Sequence, residues 1–319
     1  MSLSKTGIPY GDFSWNPCGS GCSNVANCPT CWARAFAARG FSSCADCTAF
    51  RVHFHPERLV DVGKRRKPAT ILVQFTGDLF DRKRHAEQTY AVLNAAYQAP
   101  WHTYVFLTQR PDVAAEAVKA WMDTRGRKDL PDRWWFGATV KNPAGLRFAM
   151  EHLTQIPSDN LWLSCEPLEA TLNFADYLTL YPQIRLVVLG ADNTPGRPEV
   201  LGFIRDATRQ VGAAQVERST FHALSLVPSP SSLSIYVKQI WLWQCPNCQR
   251  YSEGVPDGRC VCGTATTEYR RALVKHLVDL PADLPADLAV QDLPWDLSAA
   301  KTKTTTEDTE TTETKGGLF

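Results

Sequence analysis

The sequence predicts an α/β fold, a partial or full TIM-like (β/α) barrel followed by a small C-terminal zinc-ribbon-like element. Three observations predict it. Short, nearly continuous apolar runs recur along the first 240 residues (ILVQF, TYVFLT, WFGATV, LWLS, LVVL and IYV), as expected of strands buried on both faces in a parallel sheet. Segments of helical period separate several of these runs, which is the alternation of a βαβ chain. Polar residues follow the apolar runs repeatedly, where a barrel carries the loops that build its site.

Taken in order, residues 1–17 form a short lead-in in which Phe13–Trp15 is the first strand, and Cys18 to Cys31 form a cysteine loop. A helix follows, with Trp32, Ala33, Phe36 and Ala37 on one face and Gly40 as its stop. FSSCADCTAFRVHFHPERL is loop-like, and the basic turn Lys64-Arg65-Arg66-Lys67-Pro68 leads into a strand at Ile71–Phe75 closed by Thr76-Gly77-Asp78. Residues 84–98 are helical through Tyr90, Leu93 and Tyr97, and Thr103–Thr108 is the next strand. Pro111 fits the first position of a helix carrying Val118, Trp121 and Met122. Strands at Trp135–Val140, Leu161–Ser164, Leu186–Leu189 and Ile235–Val237 complete the series, with a helix through Leu146, Met150 and Leu153 after the first of them. The expected organisation is a barrel over residues 1–240, a Cys-rich ribbon over 241–268, and a C-terminal helix (Tyr269–Leu280) and linker over 269–297. The Lys/Thr/Glu-rich stretch 298–319 is expected to be disordered.

Lys plus Arg number 34 against 33 Asp plus Glu, so a broadly basic nucleic-acid-binding surface is not indicated. The N-terminal stretch has no apolar signal core and no run approaches 18 apolar residues, which predicts a cytoplasmic chain rather than a secreted or membrane one. Eleven cysteines without an export signal point to metal coordination rather than disulfides. Ten of them fall in three clusters: Cys18, Cys22, Cys28 and Cys31; Cys44 and Cys47; and Cys245, Cys248, Cys260 and Cys262. Cys165 stands alone between Ser164 and Glu166 and is expected to be a packed thiol.

Each cluster admits more than one chemistry. The four thiols of the first can close a zinc or iron–sulfur site with every ligand a cysteine. Alternatively Cys22, Cys28 and Cys31 hold a [4Fe–4S] cluster with one iron left open, a site placed at the barrel mouth, and Cys18 is an extra or alternative ligand. Cys44 and Cys47 suit a second metal completed by Cys18, His53 or His55, a redox pair, or two free thiols. The CxxC and CxC knuckles of Cys245–Cys262 suit structural zinc or an auxiliary iron–sulfur cluster. Among the rim residues, Glu166 and the pair Lys238-Gln239 follow apolar strands and are either site residues or solvated loop residues. Arg110 is a partner for a carboxylate or phosphate, or simply a helix entry. The Lys64–Lys67 run is a solvated turn or a phosphate-backbone contact, and Trp134 and Trp135 are core groups.

The motifs WNP…GC…C..CWAR, HPERL, TGDLF, FLTQRP, WFGATV, LSCEPL and YVKQ, in order from Trp15 to Gln239, resemble a family of phage and bacterial proteins of unknown function with three-cysteine motifs. That family in turn looks like a branch of the radical S-adenosylmethionine (SAM) superfamily. The resemblance implies a barrel of radical SAM type and a [4Fe–4S] cluster on Cys22, Cys28 and Cys31. SAM would chelate the fourth iron, and one electron from an external reductant would cleave it to a 5′-deoxyadenosyl radical. It places Thr76-Gly77-Asp78 where the superfamily binds the SAM amine, and adds Glu166, Asp192 and Lys238 as cofactor-binding candidates. The chain departs from the family in the short Cys22–Cys28 spacing, in the additional Cys18, in Trp32 for Tyr, and in Gly190-Ala191-Asp192-Asn193 where the family has Gly-Gly-Glu-Ser-Gly. The phage association suggests a nucleic-acid base or a nucleotide as substrate. Two other classes compete: a zinc-stabilised nucleic-acid-binding protein without chemistry, and an iron–sulfur redox regulator.

Overall fold

The computed structural model describes residues 3–8, 10–29, 31–190, 199–224, 233–248, 251–252, 262, 265 and 270–275. Its strands are β1 (Leu3–Lys5), β2 (Phe13–Trp15), β3 (Thr70–Val73), β4 (Thr103–Thr108), β5 (Trp134–Thr139), β6 (Leu161–Cys165), β7 (Ile184–Gly190), β8 (Ser234–Gln244), β9 (Tyr251–Ser252) and β10 (Arg270–Lys275). Helices α1 (Trp32–Ala37), α2 (Ala45–Thr48) and α3 (Asp61–Lys64) lie between β2 and β3. The later crossovers carry α4 (Ala86–Tyr97), α5 (Pro111–Thr124), α6 (Pro143–Leu153), α7 (Ala175–Leu180) and α8 (Glu199–Leu224).

All of these strands join one sheet, and β2 to β8 run parallel in the same order in space as in sequence. An order without reversal is that of a barrel wound in one direction, not of a doubly wound sheet with a switch point. The ladder ends at β1 on one side and β10 on the other, each antiparallel to its neighbour, so the described strands form an open sheet compatible with a β/α barrel-like fold.

Period-2 alternation sorts the strand side chains onto two faces. Tyr104 and Phe106 of β4 and Trp134 and Phe136 of β5 enter the large core beneath the helices, with Val92 and Leu93 of α4 and Val118 and Trp121 of α5. Their neighbours Val105 and Trp135 face the opposite way, into a second core with Tyr10, Leu72, Trp162 and Val188. Trp134 and Trp135 are thus core groups on opposite faces. Trp162 closes the inner core. Its indole N–H donates to the Phe106 carbonyl at 3.1 Å, and a Cβ at Gly137 would lie 2.3 Å from its ring. Cys165 is fully buried, and that burial raises its pKa.

Local signals set the helix entries. Pro111 opens α5, and Pro143 opens α6 behind Asn142, whose side chain accepts from the Gly145 N–H at 2.9 Å. Gly40, at φ +70°, lies just past the end of α1. The face of α1 departs from expectation. Ala33 and Ala37 are buried against Phe50, whereas Trp32 and Phe36 are 52% and 41% exposed, because the small residues let the helix sit close on the cysteine loop. β3 stops at Val73 rather than Phe75, since Gln74 takes φ 61° and turns the chain.

Two further expectations are corrected. The boundary at residue 240 falls inside β8, which pairs with β7 at its start and with β9 and β10 further along. The helix expected from Tyr269 is replaced by strand β10, in register with β8 from Arg270↔Gln244 to Lys275↔Gln239. An unpaired β8 edge offers ladder hydrogen bonds that override the helical tendency of RRALVK. The linker and tail beyond residue 275 lie outside the described residues.

The basic turn sits at the opposite end of the sheet from the strand C-termini. Arg65 lies over the Phe13 ring at 4.2 Å, Arg66 over Trp101 at 5.0 Å, and Lys64 pairs with Asp61 at 3.0 Å. This is a packed turn rather than an open phosphate-binding row. Among the described residues no helix is long and apolar enough to cross a membrane.

Because Trp162 is fully buried between the sheet's inner face and Gly137, Trp162→Ala is expected to cost about 3–5 kcal/mol, read as a lower midpoint in chemical denaturation with an unchanged slope.

Candidate metal centre at the mouth of the sheet

The segments that follow β3 and β4 meet the cysteine loop. That loop follows β2 and is tied to the turn after β3 by a continuous set of hydrogen bonds. The Gln74 N–H donates to the Trp15 carbonyl at 2.8 Å, and the Gln74 side chain brackets the loop. Its Oε1 accepts from the Cys18 N–H at 2.9 Å and its Nε2 donates to the Gly19 carbonyl at 2.6 Å. The Thr76 hydroxyl donates to the same carbonyl, while its own carbonyl accepts from the Gly21 N–H at 3.2 Å. Gly21 and Gly77 form a parallel bridge so close that a Cβ at Gly77 would lie 2.4 Å from the Gly21 oxygen.

Thr76 and Gly77 therefore shape the cysteine loop. Asp78 faces the other way. Its carboxylate, nearly inaccessible at 4% exposure, accepts from the Thr108 hydroxyl at 2.8 and 2.9 Å and from the N–H groups of Phe80 and Gln109. Burial raises its pKa despite those donors. It locks the ends of β3 and β4 together. Asp81 is the carboxylate that meets the cysteine loop, with Oδ2 accepting from the Ser23 N–H at 2.6 Å. Burial opposes its ionisation, but the Ser23 and Lys83 amides outweigh that and lower its pKa.

Cys22, Cys28 and Cys31 are all half-buried free thiols on this loop. The Asn24 N–H donates to Cys22 Sγ at 3.3 Å, and Gln109 reaches both Asn24 (2.7 Å) and Cys28 Sγ (3.9 Å). Burial pushes the Cys22 thiol up to about 12. A hydrogen bond from Cys31 draws Cys28 down to about 6, helped by Lys141 and Gln109, and raises Cys31 in turn. Cys18 is fully buried, with its thiol pushed up to about 11 by that burial. Cys31 caps α1, but that helix has only six residues, so the expected dipole support is small.

Two other groups of side chains lie close enough together for one ion. Cys44, Cys47, His53 and His55 have their ligand atoms within 4.8 Å of one another, and so do Cys245, Cys248 and Cys262. Cys18 belongs to neither group. These Cys/His clusters can bind a metal such as zinc. The Cys245-x2-Cys248 knuckle stands at the end of β8, where β9 folds back, and Cys245 Sγ lies 3.6 Å from Cys262 Sγ. Cys260 lies outside the described residues.

Other predicted residues are spread round the mouth. Glu166 follows β6, accepts from the Tyr10 hydroxyl at 3.4 Å and lies against Gly190 at the end of β7. Lys141, after β5, pairs with Glu169 at 3.6 Å. Register pairs Gln239 with Gly190, with Lys238 at the register shift just before it. Asp192 lies outside the described residues. Arg110 serves as the entry to α5, and its Nε is buried without a hydrogen-bond partner. Gln74, Asp81 and Arg84 do not stand out in the sequence. Arg84 donates to the carbonyls of His53 (2.8 Å) and Asp78 (3.2 Å), so it joins the Cys44–His55 segment to the β3 turn. The second aspartate of TGDLFD is the signal available for Asp81. A glutamine inside an apolar run gives none for Gln74.

Residues 5–218 match the model of a family described as a protein of unknown function, DUF5131. The chain belongs to that family. The match covers the cysteine loop and every parallel strand up to β7 and stops before β8 and the Cys245 knuckle. No match was found among curated proteins or among solved structures.

The closeness of Gly21 to the Cys44–His55 segment is directly testable. A Cβ there would lie 2.0 Å from the Arg51 carbonyl, whereas one at Gly63 would meet nothing within 4 Å. Gly21→Ala is expected to destabilise by about 1–3 kcal/mol and Gly63→Ala to leave the thermal midpoint within error of the parent.

Proposed function

We propose that the protein is a radical-SAM-type iron–sulfur enzyme, with a [4Fe–4S] cluster on Cys22, Cys28 and Cys31 and SAM on the iron that lacks a thiolate. The observation that carries this reading is a third set of thiols, on the loop after β2, that shares no residue with the Cys44 or Cys245 group. The Cys44 and Cys245 groups each gather around one point, as the ligands of a single ion do. Cys22, Cys28 and Cys31 stand together on the one loop after β2, with Cys28 and Cys31 in hydrogen-bond contact. Soft thiolates suit such a cluster, and Asp81 lies in hydrogen-bond contact with Cys22.

When bound, that group would supply the one-electron cleavage of SAM, with the electron coming from an external reductant. The chain's own residues hold and insulate the site. Gln74 and Thr76 fix the backbone that presents Cys22. Gln109 supplies an N–H toward Cys28, the kind of outer hydrogen bond that tunes a cluster sulfur. Asp78, fully engaged with β4, supports this reading as an organiser of the turn rather than as a direct ligand of the SAM amine. The unpartnered Arg110 Nε beside that turn is a donor suited to the SAM carboxylate, and Glu166 at the β6 end is suited to a ribose hydroxyl.

Zinc on Cys245, Cys248, Cys262 and Cys260 fits the antiparallel β9–β8–β10 strands as a ribbon. A nucleic-acid base or a nucleotide is the proposed substrate class. The rival classes, a zinc-only nucleic-acid binder and a redox regulator, share the thiols but do not cleave SAM.

Anaerobically purified protein is expected to carry about four irons with matching sulfide and to release 5′-deoxyadenosine from SAM under dithionite. Cys22→Ala, Cys28→Ala and Cys31→Ala should each abolish iron binding and the product, while Cys18→Ala keeps both. Zinc in place of iron, or loss of iron in the Cys18 variant as well, would point to a closed site and against the enzyme.

A further inference from the structure

We propose that Cys44, Cys47, His53 and His55 form a tetrahedral zinc centre, and that this centre props the backbone of the cysteine loop. For Zn–S near 2.3 Å and Zn–N near 2.0 Å, a tetrahedron sets ligand atoms about 3.3–3.8 Å apart. Cys47 Sγ lies 3.2 Å from His53 Nε2 and 3.5 Å from His55 Nε2, and Cys44 Sγ lies 3.7 Å from His53 Nε2. The two Nε2 atoms are 2.9 Å apart. The four ligand atoms therefore surround one point at close to the required spacing.

The other ring nitrogens decide what that point holds. His53 Nδ1 is 2.7 Å from the Arg51 carbonyl and His55 Nδ1 is 2.9 Å from a Glu57 carboxylate oxygen. Both oxygens can only accept, so both Nδ1 atoms carry the proton. In neutral imidazoles the two Nε2 lone pairs then face one another, beside two sulfurs. A cation at the centre would take both lone pairs and both sulfurs at once. The Nδ1 contacts are also those that orient metal-bound histidines, one to a backbone carbonyl and one to a carboxylate.

The centre rests directly on the cysteine loop. Gly19 has φ +60°, and a Cβ there would lie 2.3 Å from His53 Nε2 and 2.8 Å from Cys47 Sγ. The His55 N–H donates to the Pro17 carbonyl at 2.7 Å, and Arg84 ties the His53 carbonyl to that of Asp78. A metal that fixes residues 44–55 thereby fixes residues 17–21, one residue before Cys22. The zinc here is structural, with all four positions taken by the protein and none left for substrate.

The test uses full-length protein carrying Cys245→Ser and Cys248→Ser, which removes the ribbon metal, expressed with zinc and measured by elemental analysis. One zinc per chain is expected, and cobalt in its place should give the visible absorption of a tetrahedral site with two thiolates. His55→Ala in that background should lose the metal and His55→Cys should retain it. Cys22→Ala should leave it bound. Hydrogen exchange read on peptides spanning residues 16–22 should rise about tenfold or more in His55→Ala, equivalent to about 1.4 kcal/mol, and return in His55→Cys. Folded parent protein, checked by circular dichroism, that binds neither zinc nor cobalt would overturn the centre. Metal loss without any change in exchange at residues 16–22 would overturn its role in propping the loop. Neither result depends on iron or SAM.

Discussion

The structure depends on the pairing of the cysteine loop with the turn after β3. A loop that carries four cysteines between a strand and a helix has many backbone groups and few regular partners, and buried groups of that kind must be satisfied. Gln74 meets the need by leaving the strand in a left-handed conformation, which aims its amide at both the Cys18 N–H and the Gly19 carbonyl. A non-glycine residue with positive φ persists only where its surroundings compensate for it, and here two side-chain and two backbone hydrogen bonds do so. Cys22, and with it the proposed cluster, takes its position from this arrangement.

The alternation of strands and helices was legible because it rests on local pattern. The runs TYVFLT, LWLS and LVVL are apolar on both faces, and the parallel sheet buries both. Pro111 and Pro143 mark helix starts for reasons confined to one turn. The features that were not legible depend on partners far away in sequence. Nothing in RRALVK says that an edge of β8 awaits it, and nothing in ILVQF says that the fourth residue must turn. The same holds for Asp78. Its acid follows a strand end, as a site residue would, but Thr108 and Gln109 of the next strand claim its oxygens.

The thiol clusters show the same division. Residue type and spacing raise metal binding both for Cys22, Cys28 and Cys31 and for Cys44 with Cys47, and the folded chain gathers the second pair with two histidines. Choosing His53 and His55 over Cys18 required the folded chain, since Cys18 is buried in the core while both imidazoles turn their Nε2 atoms to one point. The proposed roles divide along one short segment, with the four-ligand group of Cys44 to His55 as support and Cys22, Cys28 and Cys31 for chemistry. Cys18, the additional thiol, is buried in the core.

The central claim is that one iron of the cluster is left open for SAM. Its most direct test is the electron paramagnetic resonance spectrum of anaerobically prepared, dithionite-reduced protein, recorded before and after SAM is added. The expected result is a reduced [4Fe–4S] signal whose g values shift on SAM addition, in the parent and in Cys18→Ala alike. A cluster signal that SAM leaves unchanged would contradict it.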